Sequence, residues 1–163
     1  MSRGTSTLDV NEKYRLYESS VQCAESDVEF LHEEYERYYG RKPVTVLEDF
    51  GGTGSFFCDW VKQSDENEAW AVDLDSEPIR YGKENHFSKL NDEQQKRMHY
   101  IEGNVLDEYE FKTDIVVAFN FSYFIFKKRA VLLDYFKKVR ASLKPDGAFF
   151  LDLFGGSDAR EAM

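Results

Sequence analysis

Three glycines fall within four positions, at Gly51, Gly52 and Gly54, directly after an apolar β-branched run that closes on two acids, Glu48 and Asp49. A loop of this kind brings backbone close to a bound molecule, because no Cβ stands in the way. A dinucleotide-binding loop needs G-x-G-x-x-G; the position three beyond Gly54 is Phe57, so that pattern fails. A tight turn needs one glycine at positive φ, and three in four exceed that need. Two further places could do chemistry: Asp73, at the end of "AWAVDL", and the tetrapeptide "NFSY", Asn120 to Tyr123. His32, His86 and His99 have no ligand spacing, so no metal site is expected. Cys58 reads as a core residue.

The elements that must position these residues alternate along the chain. Residues 11–39 read as helix, with Val28, Leu31, Tyr35 and Tyr38 at three- and four-residue spacing, closed by Gly40 and Pro43. A strand over 44–50 follows, then the glycine loop and a short helix from about Ser55. "AWAVDL" is a second strand. The next helix has Ser76 as its expected N-cap and Pro78 in its first turn. "MHYIEG" is a third strand, and "DIVVAFNF" a fourth whose nearly unbroken apolar run suits burial on both faces. "RAVLLDYFKKVRASL" is an amphipathic helix with Leu132, Phe136, Val139 and Leu143 on one face. Lys144-Pro145-Asp146-Gly147 stops it, and "AFFLDLF" is a fifth strand. This alternation predicts an α/β fold, a three-layer α/β/α sandwich around a mainly parallel sheet. Ligands of such sheets sit at the carboxyl ends of the strands, where the glycine loop falls.

Composition narrows the partners. A chain of 163 residues fits one domain, and 42% hydrophobic with 16% aromatic residues argues against disorder. A formal charge of -10 repels phosphate backbones, so no nucleic-acid partner is expected. The one dense basic run, "KKRAVLLDYFKKVR", reads as the wet face of its helix. Two cysteines without framework spacing suit a reducing compartment, the cytoplasm. The first eighteen residues hold no apolar signal-peptide core. The longest apolar run, 115–126, is too short to span a bilayer, so no membrane partner is expected.

The ordered set "VLEDFGGTG", "AVDLD", "IEGNVLD" and "LKPDGAFFLDLF" resembles the class I S-adenosylmethionine-dependent methyltransferases over roughly residues 43–154. The resemblance implies a Rossmann-like sheet with strand order 3-2-1-4-5, with the family's last two strands absent. It also implies a division into an N-terminal helical lid segment, 1–42, and a cofactor-binding core, 43–163. Gly52, Thr53 and Gly54 fall on the end of the family's first motif and Glu48 on its acid. Phe50 stands where the family has its first glycine, so Gly51 is expected to take over the turn, and Asp49 stands where an apolar residue is usual. Asp73 matches the ribose-binding acid, nineteen residues beyond Gly54. Leu74 would lie against the adenine, and Asn104, followed by Val105, would reach it.

The implied cofactor is S-adenosyl-L-methionine, its ammonium group received by Glu48 and its ribose by Asp73. Amine-specific members of the family carry an N-P-P-Y-like tetrapeptide where this chain has "NFSY". Asn120 and Tyr123 are therefore the candidate catalytic residues, with Asn120 also near the cofactor. The alternative for both is structural: Asn120 capping the strand and Tyr123 packing under a helix. Tyr14 and Tyr17 would close a lid over the sulfonium, or simply pack. The expected activity is methyl transfer to a small molecule, an amine being one candidate. A non-catalytic cofactor-binding or scaffolding subunit is the alternative. An uncovered fifth strand would favour a homo-oligomer through its edge, or a longer polypeptide that supplies the two missing strands.

Overall fold

Five strands lie side by side in the computed structural model, which describes residues 9–21, 24–153 and 155. They are β1 (Thr45–Asp49), β2 (Glu68–Asp73), β3 (Met98–Glu102), β4 (Thr113–Ala118) and β5 (Leu143–Leu151), in the order β3-β2-β1-β4-β5. Every neighbouring pair is parallel. All five carboxyl ends therefore share one rim, and the strand ends and short loops there carry Glu48, Asp49, Asp73, Asn120 and Asp152. The expected α/β architecture and strand order are those observed.

The helices among the described residues are α1 (Val10–Val21), α2 (Ala24–Tyr39), α3 (Ser55–Gln63), α4 (Ser76–Asn85), α5 (Asp92–Lys96) and α6 (Arg129–Ser142). On one face of the sheet, Val28, Leu31 and Tyr35 of α2 pack with Phe56, Phe57, Trp60 and Val61 of α3 over Val46, Ile115 and Val117. Complete burial of side chains this large contributes roughly 1.5–3 kcal/mol each. The opposite face joins Leu47, Val72, Val116 and Ala118 to Tyr135 and Val139 of α6. Beyond α6 the cover is aromatic: Phe111 stacks on Trp70 of β2, with ring centroids 4.6 Å apart. Since side chains alternate along a strand, Val46 and Glu48 face α2 and α3 while Leu47 and Asp49 face α6.

Four local expectations need correction. The single helix over 11–39 is two helices, because they answer to different partners. α1 lies on α4, where Tyr14 and Tyr81 have centroids 5.0 Å apart, whereas α2 is buried against the sheet and α3. Residues 22 and 23, between them, lie outside the described set. The N-cap of α4 is Asp75, whose carboxylate accepts from the Glu77 amide; Ser76 is already helical. The buried stripe of α6 centres on Tyr135, Lys138, Val139 and Ser142, and Phe136 is half exposed. Val139 and Leu143 are buried as expected and Leu132 packs partly buried beside them, while at the centre the Tyr135 hydroxyl donates to Asp49 at 2.9 Å. Finally, β5 begins at Leu143, runs through Pro145 and Gly147 with a register shift, and resumes regular pairing at Ile115 and Ala148. Proline has no N–H for the ladder, which is why the irregularity falls there.

Candidate active site at the carboxyl rim

The three glycines of the loop do three different jobs. Gly51 donates its amide to the Val72 carbonyl, and a Cβ on it would stand 2.7 Å from the Ala71 Cβ, so it lets the loop lie on β2. Gly54, at φ 70, opens α3; a Cβ there would meet the Phe57 ring at 1.8 Å and the Tyr100 hydroxyl at 2.7 Å. Both serve packing. Gly52, at φ 51, is different: its nearest neighbour would be the Phe50 carbonyl oxygen at 3.9 Å. Only at Gly52, among these three, does the missing side chain leave open space, and that space lies on the rim. Phe50 takes the left-handed conformation itself, φ 61, in place of the glycine usual in the resembling family. This strain persists because its ring packs on Phe126 and Tyr135, centroids 6.0 and 5.9 Å away.

Two carboxylates meet this loop from the ends of β1 and β2. Asp73 accepts from the amides of Gly52 at 2.8 Å and Asp75 at 2.9 Å, tying the loop to the start of α4. Each oxygen keeps a second lone pair for a ligand hydroxyl. Glu48 is 4% exposed, and its Oε2 has no hydrogen-bond partner among the described residues. Burial pushes its carboxyl well above the ordinary range, and the charges of Asp73, Asp27 and Asp49 push it further. A buried unpartnered carboxyl is an exception among native polar groups, and a cation placed beside it would favour its charged form. Asp49, one residue on, points to the other face and accepts from Tyr135, so the two adjacent acids have different surroundings, although Glu48 still feels the charge of Asp49.

α1 closes over this loop. Glu18 accepts from the Thr53 hydroxyl at 2.6 Å and lies 2.6 Å from His86 Nε2 of the segment after α4. Burial raises the Glu18 carboxyl, but the bonds from His86 and Thr53 outweigh it and hold the group below its usual value. Lys13 and Tyr14 both reach Glu77, at 2.7 and 3.0 Å. Tyr17 stands half exposed, its hydroxyl raised by burial and by Glu48, Asp73 and Asp152. It therefore overlooks the acids of the rim. Glu18 and His86 escaped the sequence reading, since nothing in their spacing announces a contact 68 residues apart.

At β4 the rim carries a second strained element. Asn120 and Phe121 both adopt positive φ, 56 and 55. The carboxylate of Asp152, just after β5, accepts from both of their amides at 2.8 Å and fixes this turn. Asn120 lines a cavity of about 250 Å³ with Asp27, Phe30, Phe56, Phe119 and Phe150. Tyr123 does not join it: it is 6% exposed in the cluster beneath α6, and its hydroxyl has no partner among the described residues. Leu74 is exposed on the rim beside Asp73, and Val105 is buried on the α6 face. The Asn104 carboxamide accepts from the Leu106 amide at 3.0 Å, closing its own turn. Asp27 and Asp152 were missed, although each is an acid inside an apolar pattern, at the helical spacing of Ala24, Val28 and Leu31 and within "FFLDLF".

No protein-family model matches the sequence, and no curated protein matches it. Among solved structures the chain is similar to the glycopeptide N-methyltransferase MtfA complexed with sinefungin, at 18% identity and TM-score 0.66, over 88% of this chain and 55% of that one. It is similar to the plantazolicin methyltransferase BpumL in complex with a monoazolic desmethylPZN analog and SAH, at 16% identity and TM-score 0.65, over 87% of this chain and 51% of that one. A third likeness is to a chain assigned as an O-methyltransferase in Nostoc punctiforme PCC 73102, at 20% identity and TM-score 0.70, over 96% and 46% of the two chains. The chain spans about half the length of these proteins. The fold is the Rossmann-like fold of class I methyltransferases.

Proposed function

We propose that this chain binds S-adenosylmethionine and transfers its methyl group to a small molecule, with an amine as the candidate acceptor. The observation that carries the reading is the buried, unpartnered Glu48 carboxyl beside the open face of Gly52 and the carboxylate of Asp73. A cofactor that ends in an ammonium group and carries a ribose answers all three. When bound, the cofactor supplies a methyl group activated on a sulfonium. Glu48 would receive the ammonium, Asp73 the ribose hydroxyls, and Gly52 the close approach of the chain between them. Tyr17 stands near the acids of the rim, and an aromatic ring there would suit a positive sulfur. The protein's part in such a displacement is alignment and exclusion of water, which α1 serves through Glu18 and Thr53. Asn120 offers its carboxamide to an acceptor in the adjoining cavity. Tyr123 keeps a structural place beneath α6. Self-association through the outer edge of β5 and a cytoplasmic setting belong to the same proposal; among the described residues no helix is long and apolar enough to cross a membrane.

A non-catalytic cofactor-binding subunit is the second reading, favoured by the burial of Tyr123 away from the cavity. Calorimetric titration with S-adenosylmethionine, S-adenosylhomocysteine and NAD tests what both readings share. The two sulfur compounds should bind and NAD should not. Binding of NAD alone would overturn the assignment, and release of labelled methyl to an acceptor would separate the enzyme from the subunit.

A further inference from the structure

We propose that the cavity between α2, α3 and the carboxyl ends of β4 and β5 is a subsite for a small organic ammonium ion, the charged group of the methyl acceptor, held by Asp27 and Asp152 against aromatic walls. The proposal rests on the methyl-transfer reading for the word acceptor, but the subsite itself stands on its own geometry. A volume of about 250 Å³ lies below the roughly 300–1,000 Å³ of pockets that enclose drug-sized ligands. It suits a head group, with the remainder of the molecule leaving past the exposed rim residue Phe30.

Charge selects the head group. Asp27 and Asp152 are the charged residues among those described around the cavity, and no Lys, Arg or His joins them there. Burial raises the Asp27 carboxyl, and the charge of Asp152 raises it further. Behind them Glu48, with its unpartnered Oε2, feels Asp27 as well. Two carboxyl groups thus line one small space that no described Lys, Arg or His enters, with a third close enough behind to feel the charge of Asp27, an arrangement that a bound cation relieves. The walls agree with the sign. Phe56 and Phe119 meet edge to face at 5.4 Å, Phe30 and Phe150 at 6.3 Å, and ring faces attract an ammonium while giving nothing to an anion. Asp152 has a second duty in clamping the Asn120 turn, so Asp27 is the residue to substitute.

The test titrates the full chain with choline and with its neutral carbon isostere, 3,3-dimethylbutan-1-ol, each with and without saturating S-adenosylhomocysteine. Choline should bind at least tenfold more tightly than the isostere. Asp27→Asn should weaken choline by roughly 10- to 100-fold, the scale of a lost charge-assisted contact, and change S-adenosylhomocysteine affinity far less, since Asp27 reaches the cofactor site only through its charge on Glu48. Asp152 is left intact to spare the turn. Equal affinity for choline and isostere, or no choline binding, overturns the subsite whatever the cofactor does. Displacement of choline by S-adenosylhomocysteine overturns it too, since the cavity would then hold the cofactor's own ammonium. Choline binding without any S-adenosylhomocysteine binding supports the subsite and sinks the methyl-transfer reading.

Discussion

Replacing Asp49 by asparagine should stabilise the protein at neutral and alkaline pH. Asp49 is 3% exposed, and its carboxyl is pushed up from 3.8 to about 7, by burial first, against the opposing Tyr135 bond and Lys138 charge. A group raised on folding gives its full stability below its unfolded value, near pH 4, and loses it as pH climbs through about 7. Carrying the charge in the folded protein at alkaline pH therefore costs about 4 kcal/mol. Asparagine keeps an oxygen for the Tyr135 hydroxyl and removes the charge, while Lys138 loses a favourable neighbour, so the net gain at pH 8 should be about 2–4 kcal/mol. For a chain of this size that is roughly 5–15 °C in Tm. Thermal melts of both proteins from about pH 4 to about pH 9 give the assay. The difference should be near zero at the acid end and grow to its full value by about pH 8. Removing the Asp49 charge also eases the ionisation of Glu48, whose carboxyl that charge helps to raise, so this contribution has the same sign as the main effect. Parallel curves, or a variant less stable at alkaline pH, would refute the placement of Asp49 as a buried charge.

Glu18→Ala removes the shared acceptor of Thr53 and His86 and should loosen α1 by about 1–2 kcal/mol, read as faster hydrogen exchange in α1 with β4 unaffected. Because the Glu18 carboxyl is held low, acidification through its folded value should loosen α1 of the wild-type protein in the same way; unchanged α1 protection in either experiment contradicts the latch. Gly82→Ala would gain about 1 kcal/mol of helix propensity in a free helix. Here the new Cβ would stand 1.8 Å from the Thr53 carbonyl oxygen, so the variant should be destabilised by about 1–3 kcal/mol, and a more stable variant would show that α4 does not pack on the loop.

Much of this arrangement could be read from residue order. The alternation of apolar runs and amphipathic stretches yields the parallel α/β sheet, and "VLEDFGGTG" with Asp73 places the loop at its rim. What could not be read depends on contacts between distant segments. Glu48 and Asp49 are neighbours in the chain, yet strand alternation sends one toward α3 and the other toward Tyr135, 86 residues away. The glycines look equivalent in sequence, and only the positions of Ala71, Phe57 and Tyr100 show that two of them serve packing. Tyr123 sits in a tetrapeptide that suggests chemistry, but the positive-φ turn at Asn120 and Phe121 sends it beneath α6. That turn depends on Asp152, 31 and 32 residues further on.

The central claim is that the open face of Gly52 is where the cofactor lies. Gly52→Ala tests it most directly, because the new Cβ meets no protein atom closer than the Phe50 carbonyl oxygen at 3.9 Å. The left-handed backbone should cost about 1–2 kcal/mol of stability, leaving a folded protein. S-adenosylhomocysteine affinity, measured by calorimetry, should fall at least tenfold in that folded variant. Undiminished affinity would contradict the account and place the cofactor elsewhere.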